Sequence, residues 1–159
     1  MDVYLAITSK RDERRYAGRP LPDDAVRRIL DAGRLAGSAR NRQPWEFVVV
    51  SDPTGLAQGV YAPDNLLTAA LVVAIVGKGG LDVGRAMQNM MLAAWDEGIV
   101  SCPNGIADPA AAEAILGDAA AVILSFGYAA RPRDPSARSA EEWSERANRK
   151  PLDEIVRYL

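Results

Sequence analysis

Histidine is absent from this chain, and cysteine occurs once, at Cys102. Those two shortages exclude a Ser-His-Asp triad, a Cys-His pair, a histidine-ligated zinc and a disulfide framework. Aromatic residues are also few, at 6%, and are not interleaved with the basic ones. With a pI of about 5.2, that argues against a nucleic-acid partner. The longest apolar candidate, residues 66–76, falls short of the roughly 18 to 20 residues of a membrane span and reads as core. Met1-Asp2-Val3-Tyr4 offers no basic leader before an apolar segment, so with one thiol the expected location is cytoplasmic. Phosphate-binding and flavin-type chemistry survive these exclusions. They require arginine, backbone N–H groups and a carried cofactor rather than imidazole.

What is present is ordinary in amount and uneven in placement. At 159 residues, 48% hydrophobic and 25% charged, the chain has the size and composition of one self-sufficient domain spanning residues 1–159. Its net charge of −2 hides a gradient. Residues 1–42 carry ten Lys/Arg against six Asp/Glu, residues 43–130 two against nine, and residues 131–159 seven against six. A basic beginning and an arginine-bearing tail around an acidic middle suggest an anion site built from both ends. The alternative is a set of solvated helix faces with scattered arginines.

Periodicity predicts a short first helix over residues 2–10, with Val3, Leu5 and Ala6 facing inward, and a second opened by Leu21-Pro22-Asp23-Asp24. Residues 46–50 (Glu-Phe-Val-Val-Val) read as a buried strand. A second strand over residues 71–76 is closed by Gly77-Lys78-Gly79-Gly80. Residues 82–97 form the longest helix, apolar almost all round, with Gly98 beyond its end. A short helix over 110–116 and a third strand over 121–128 follow, then a polar loop over 131–148 with one helical turn. Helices and strands without a strict alternation indicate an α+β fold.

Two clusters carry chemistry. Ser9-Lys10-Arg11-Asp12-Glu13-Arg14-Arg15-Tyr16 can converge basic side chains on a phosphate. Ser38-Ala39-Arg40-Asn41-Arg42-Gln43-Pro44-Trp45 offers short polar groups suited to the edge of a planar heterocycle, with Trp45 as an apolar wall. The same residues also suit a plain turn, since Ser and Asn bond their own backbone and Pro44 presets the strand entry.

Together these clusters resemble the nitroreductase family of FMN-dependent oxidoreductases. The likeness continues in Gln88-Asn89-Met90-Met91-Leu92-Ala93-Ala94, in Gly98-Ile99-Val100-Ser101-Cys102, and in the tail Asn148-Arg149-Lys150-Pro151-Leu152-Asp153-Glu154-Ile155-Val156. The resemblance implies a central, mainly antiparallel sheet flanked by helices, in an intertwined homodimer with C-terminal arm exchange and FMN at the subunit interface. It gives the flavin phosphate to Lys10, Arg11, Arg14 and Arg149. Ser38, Ala39, Asn41 and Gln43 become the contacts to the ribityl chain and ring. The stretch around Pro103, Asn104 and Gly105 becomes the one whose backbone N–H faces the flavin. NAD(P)H would be the reductant and an electron-poor small molecule, a nitroaromatic or quinone, the acceptor. No protein acid or base is obligatory in such a shuttle.

Three departures accompany the likeness. Asp12 stands where the family has a small hydroxyl residue, so its carboxylate must turn outward or pair with Arg14 or Arg15. Gly37 replaces a proline before Ser38. Only residues 51–81 separate the first strand from the long helix, a shorter stretch than the family's, which predicts an open flavin face or one closed by another element. In the tail, Leu152, Ile155, Val156 and Leu159 fit helical spacing after Pro151, whereas the resemblance favours an extended arm. Met87, Met90 and Met91 read as packing, and Cys102 as a small buried group with no cation beside it in sequence. Two other readings remain: a non-catalytic dimer that stores or senses flavin, and a relative that fragments its own reduced flavin with oxygen.

Overall fold

The computed structural model describes residues 1–77 and 80–159. The expected turn at Lys78 and Gly79 lies outside them. The elements in chain order are α1 (Val3–Ser9), α2 (Asp23–Arg34), a 3₁₀ turn (Ala39–Asn41), β1 (Glu46–Val49), α3 (Thr54–Ala57), α4 (Asp64–Leu67), β2 (Leu71–Val76), α5 (Leu81–Asp96), β3 (Ile99–Asn104), α6 (Pro109–Leu116), β4 (Ala120–Tyr128), a second 3₁₀ turn (Pro135–Ala137), α7 (Ala140–Glu145) and α8 (Leu152–Ile155). They form two compact units, Arg11–Arg133 and a smaller one of Met1–Lys10 with Asp134–Leu159.

The larger unit is built on one four-stranded sheet in the order β1-β2-β4-β3, antiparallel at every junction. Side chains alternate across a strand, so β2 sends Leu71, Val73 and Ile75 to one core, with Ile29 of α2 and Met90 and Ala94 of α5. Val72, Ala74 and Val76 go to a second core with Leu56, Leu66 and Ala112 of the short helices. Covered on both faces, β2 is buried at all six positions, which is why it reads as an unbroken apolar run.

Residues 46–50 differ from the expected buried strand. β1 is an edge strand of four residues with both end positions exposed, and Val49 is 46% exposed. Its apolar content reflects pairing to β2 on one side only. β3 was not legible as a strand because Ser101, Pro103 and Asn104 interrupt its apolar pattern. Its edge position tolerates Pro103. The one-turn helices α3 and α4 are too short to leave a periodic signal. α5 follows the expected span closely, with Gly98 at φ +70 just beyond its end. Its exposed Arg85, Gln88 and Asn89 make it amphipathic rather than apolar all round. Met90 and Met91 are buried, as packing residues should be.

In the smaller unit Asp2 caps α1, accepting from the Tyr4 and Leu5 N–H groups at 2.7 and 3.3 Å. Ala6, Thr8 and Ser9 form the buried side of α1, while Val3 is 73% exposed. Of the expected inward residues Ala6 is buried and Leu5 half-buried, and only Val3 turns out to solvent; Thr8 and Ser9 extend the buried side. The polar stretch before the tail holds more order than one turn. Ser139 and Glu142 form a complete capping box on α7, and the Trp143 indole N–H donates to the Pro135 carbonyl at 2.8 Å. Both helical and extended backbone occur in the tail. Pro151 opens a single helical turn, and Val156 is already extended at φ −110, ψ 128.

Candidate functional site

The basic box is stitched along the sheet. Asp12 bridges Ser101 in parallel and Tyr16 bridges Ala129. The Glu13 N–H donates to the Ser101 carbonyl (3.2 Å), the Ala17 N–H to Tyr128 (2.9 Å) and the Ala130 N–H to Arg15 (2.9 Å). Tyr16 anchors the thread. Its ring lies over Gly127, where a Cβ would meet the ring at 2.8 Å, and its hydroxyl is 2.7 Å from Ser125 Oγ. Burial pushes the Tyr16 phenol above its ordinary value.

This threading sets the environment of each charge. Glu13 accepts from the Arg14 and Arg15 N–H groups at 3.0 and 3.2 Å, and from the Arg133 guanidinium at 2.8 Å. Burial works to raise its pKa, but these hydrogen bonds prevail and leave it lowered. The Arg14 guanidinium hydrogen-bonds the Cys102 side chain, which, with Asp12 nearby, raises its pKa further. Cys102 is buried as expected, yet a cation does adjoin it; the contact arises from the thread and not from sequence neighbours. Asp12 is exposed and within electrostatic reach of Arg14, one of the two arrangements its position required. Arg11 is half-buried at the start of this unit. Lys10 and Arg149 belong to the smaller unit, Lys10 at the α1 terminus and Arg149 exposed beyond α7.

The second cluster is a tight, strained loop. Arg40, Asn41 and Gln43 have φ of 54, 54 and 49°, a region costly for side chains other than glycine and most tolerated by Asn. Side-chain hydrogen bonds help to hold it. The Gln43 N–H donates to Ser38 Oγ at 2.8 Å, the Gln43 side-chain amide donates to Asn41 Oδ1 at 3.2 Å, and the Ala39 N–H donates to Asp82 Oδ2 at 3.0 Å. A Cβ at Gly37 would meet the far end of the Arg85 side chain, which is exposed and free to swing aside, so this contact does not require glycine there. Beyond the loop, Trp45 and Phe47 stack at 6.5 Å and line, with Val26 and Leu30 of α2, a groove of about 840 Å³. Trp45 thus forms an apolar wall of this groove, beside Gln43 of the loop.

At the end of β3, the Asn104 side chain is committed inward. Its Nδ2 donates to the carbonyls of Cys102 and Ile123 and to Ser125 Oγ, and its Oδ1 accepts from Asn65 at 2.9 Å. That leaves the backbone of Asn104 and Gly105 as the part able to meet a ligand. The Gly105 carbonyl accepts from Tyr61 N–H at 3.1 Å, and Gly105 itself is exposed.

Sequence reasoning passed over Asp82 as a loop holder and the Asn65–Asn104–Ser125–Tyr16 network. Asp82 gave a partial signal as an acid in a helix's first turn. The network gave none, since its members are far apart in sequence. Among the described residues no helix is long and apolar enough to cross a membrane.

The comparisons agree with the fold. The Nitroreductase family model matches residues 7–77 and 79–142. A protein of Methanothermobacter thermautotrophicus named for NADH dehydrogenase/NAD(P)H nitroreductase activity is 31% identical over 118 residues, covering 67% of this chain and 62% of its own. This chain therefore spans less than two-thirds of that relative. A nitroreductase family protein of Streptococcus pneumoniae superposes with a TM-score of 0.80 at 19% identity, over 99% of this chain and 100% of its own. A nitroreductase-type protein of Desulfovibrio desulfuricans in complex with FMN gives 0.78 at 25% identity, over 98% and 96%. The short stretch between β1 and α5 is thus no obstacle to the fold, because solved chains of matching extent share it. From the threaded basic box, the polar loop and the antiparallel sheet that carries both, together with the matched family model, it follows that this chain belongs to the nitroreductase family.

Proposed function

We propose that this chain is an FMN-dependent NAD(P)H oxidoreductase that works as a homodimer and reduces electron-poor acceptors such as nitroaromatics or quinones. The observation that carries the reading is the stitching of the basic box to β3. Asp12 is level with Ser101, four residues before Gly105, so the guanidinium-bearing segment and the exposed Gly105 backbone are separated by about 13 Å of strand. A phosphate-to-ring ligand of the FMN type has that reach. The donor set fits as well. Arg14, Asn41 and Gln43 are all exposed.

In this reading Lys10, Arg11, Arg14 and Arg149 hold the phosphate, Arg through paired N–H donors. Ser38 and Ala39 place the loop, Asn41 and Gln43 bond the ribityl chain and ring, and the Asn104–Gly105 backbone donates to the ring. Bound FMN supplies hydride storage between NAD(P)H and the acceptor. The protein then needs no acid or base of its own, consistent with a chain without histidine. The homodimer is supported by exposed apolar groups in the tail: Leu152 is 74% and Ile155 62% exposed. A partner's arm would extend the sheet at the open edge of β1.

Arg11→Ala and Arg149→Ala should each weaken FMN affinity about tenfold to a hundredfold, as for a lost charge-assisted hydrogen bond of roughly 1.5 to 3 kcal/mol. Unchanged affinity in both variants refutes the phosphate assignment. Asp82 favours a second reading, a flavin-binding dimer without turnover, because its carboxylate already occupies the Ala39 N–H. Steady NAD(P)H consumption by FMN-loaded protein excludes that alternative.

A further inference from the structure

A separate recess of about 560 Å³ is walled by Glu13, Arg15 and the Ala130-Arg131-Pro132-Arg133 turn. Three guanidinium groups meet one carboxylate there. Glu13 is already saturated by the Arg133 guanidinium and two backbone N–H groups. The side chains of Arg15 and Arg131 have no ion pair or hydrogen bond among the described residues. The recess thus carries a formal surplus of two positive charges. A phosphate monoester at neutral pH carries about −1.5 to −2, and paired guanidinium donors match its oxygens.

A second pocket, of about 370 Å³, adjoins the recess and shares Pro132 and Arg133 with it. It is lined by Val100 and Tyr128, and the Arg19 guanidinium lies 3.5 Å from the centre of the Tyr128 ring. A guanidinium placed over an aromatic ring can offer its other face to a heterocycle. Both pockets lie within the larger unit, and their arginines are not those assigned to FMN.

We propose that these two pockets form a nucleotide site, with the phosphate monoester between Arg15 and Arg131 and the base stacked at Arg19. The inference is independent of the flavin reading. Calorimetric titration of the full chain with AMP, inorganic phosphate and adenosine tests it. AMP should bind most tightly, phosphate more weakly and adenosine most weakly, with AMP affinity falling as salt rises. R15Q and R131Q should each reduce AMP affinity at least tenfold, and R19Q should reduce AMP affinity while sparing phosphate. All three side chains are exposed, so thermal melting of each variant should match that of the parent. R11A serves as the control and should leave AMP affinity unchanged. The site is overturned if R15Q and R131Q bind AMP like the parent, if adenosine binds as well as AMP, or if R11A alone abolishes binding. Phosphate binding without any preference for AMP overturns the nucleotide assignment.

Discussion

Replacing Asn104 with alanine separates its structural role from its cofactor role. The side chain is 6% exposed and reaches four partners: two carbonyls, Ser125 Oγ and the Asn65 amide. Its two N–H bonds are shared among three acceptors, so about three bonds' worth of interaction is lost, at about 1 kcal/mol net each. The Asn65 amide, itself buried, would lose its acceptor, adding roughly 1 to 2 kcal/mol. The total of about 4 to 5 kcal/mol is a large share of a typical stability of about 5 to 15 kcal/mol. Urea unfolding followed by far-ultraviolet circular dichroism measures it. A double-mutant cycle with Asn65→Ala should give a pair less destabilised than the sum of its singles, since the second deletion removes the stranded partner. FMN affinity of the folded variant should stay within about threefold of the parent. A destabilisation below about 1 kcal/mol refutes the network accounting. A large flavin defect in a stable variant would show that the side chain touches cofactor.

Other expectations follow from the same geometry. Gly127→Ala should cost about 1 to 3 kcal/mol by forcing the Tyr16 ring off the sheet, and Tyr16→Leu in that background should recover part of the loss in the same urea assay. Glu13 is stabilised in its charged form, so its contribution is complete above its ordinary value of 4.5 and is lost as pH falls through the lower folded value. Glu13→Gln should therefore flatten the acid limb of a stability-versus-pH curve. Tyr16 has the opposite sign. Its folded pKa is raised, so its contribution is present below pH 10.0 and is lost above it, and Tyr16→Phe should blunt the alkaline loss. Ile155→Asp should shift the sedimentation mass toward the monomer if the tail joins two copies.

The sequence made the interior far more legible than the edges. β2 and α5 announce themselves because burial on two faces or along a long stripe leaves a periodic signal. β1 has similar composition but sits at an edge, and composition alone does not report how many neighbours a strand has. β3 was hidden by its polar residues: the Asn104 side chain finds partners only once Asn65 and Ser125 arrive from elsewhere in the chain, and the buried Ser101 hydroxyl finds none among the described residues. For the candidate site, the residue types of the box and the loop were readable, and the Trp45 wall was as well. The grip of Asp82 on Ala39 and the meeting of Arg14 with Cys102 were not. Each joins segments more than forty residues apart, which no local pattern encodes.

Since the strip from Asp12 to Ala17 is laced to β3 and β4 by main-chain bonds, its guanidinium groups inherit their coordinates from strand pairing. A one-residue slip between those strands would displace the charges by about 3.4 Å and turn neighbouring side chains to the opposite face. Mutations deep in the sheet, far from any ligand, could thereby appear first as altered anion affinity while the protein still passes every test of being folded.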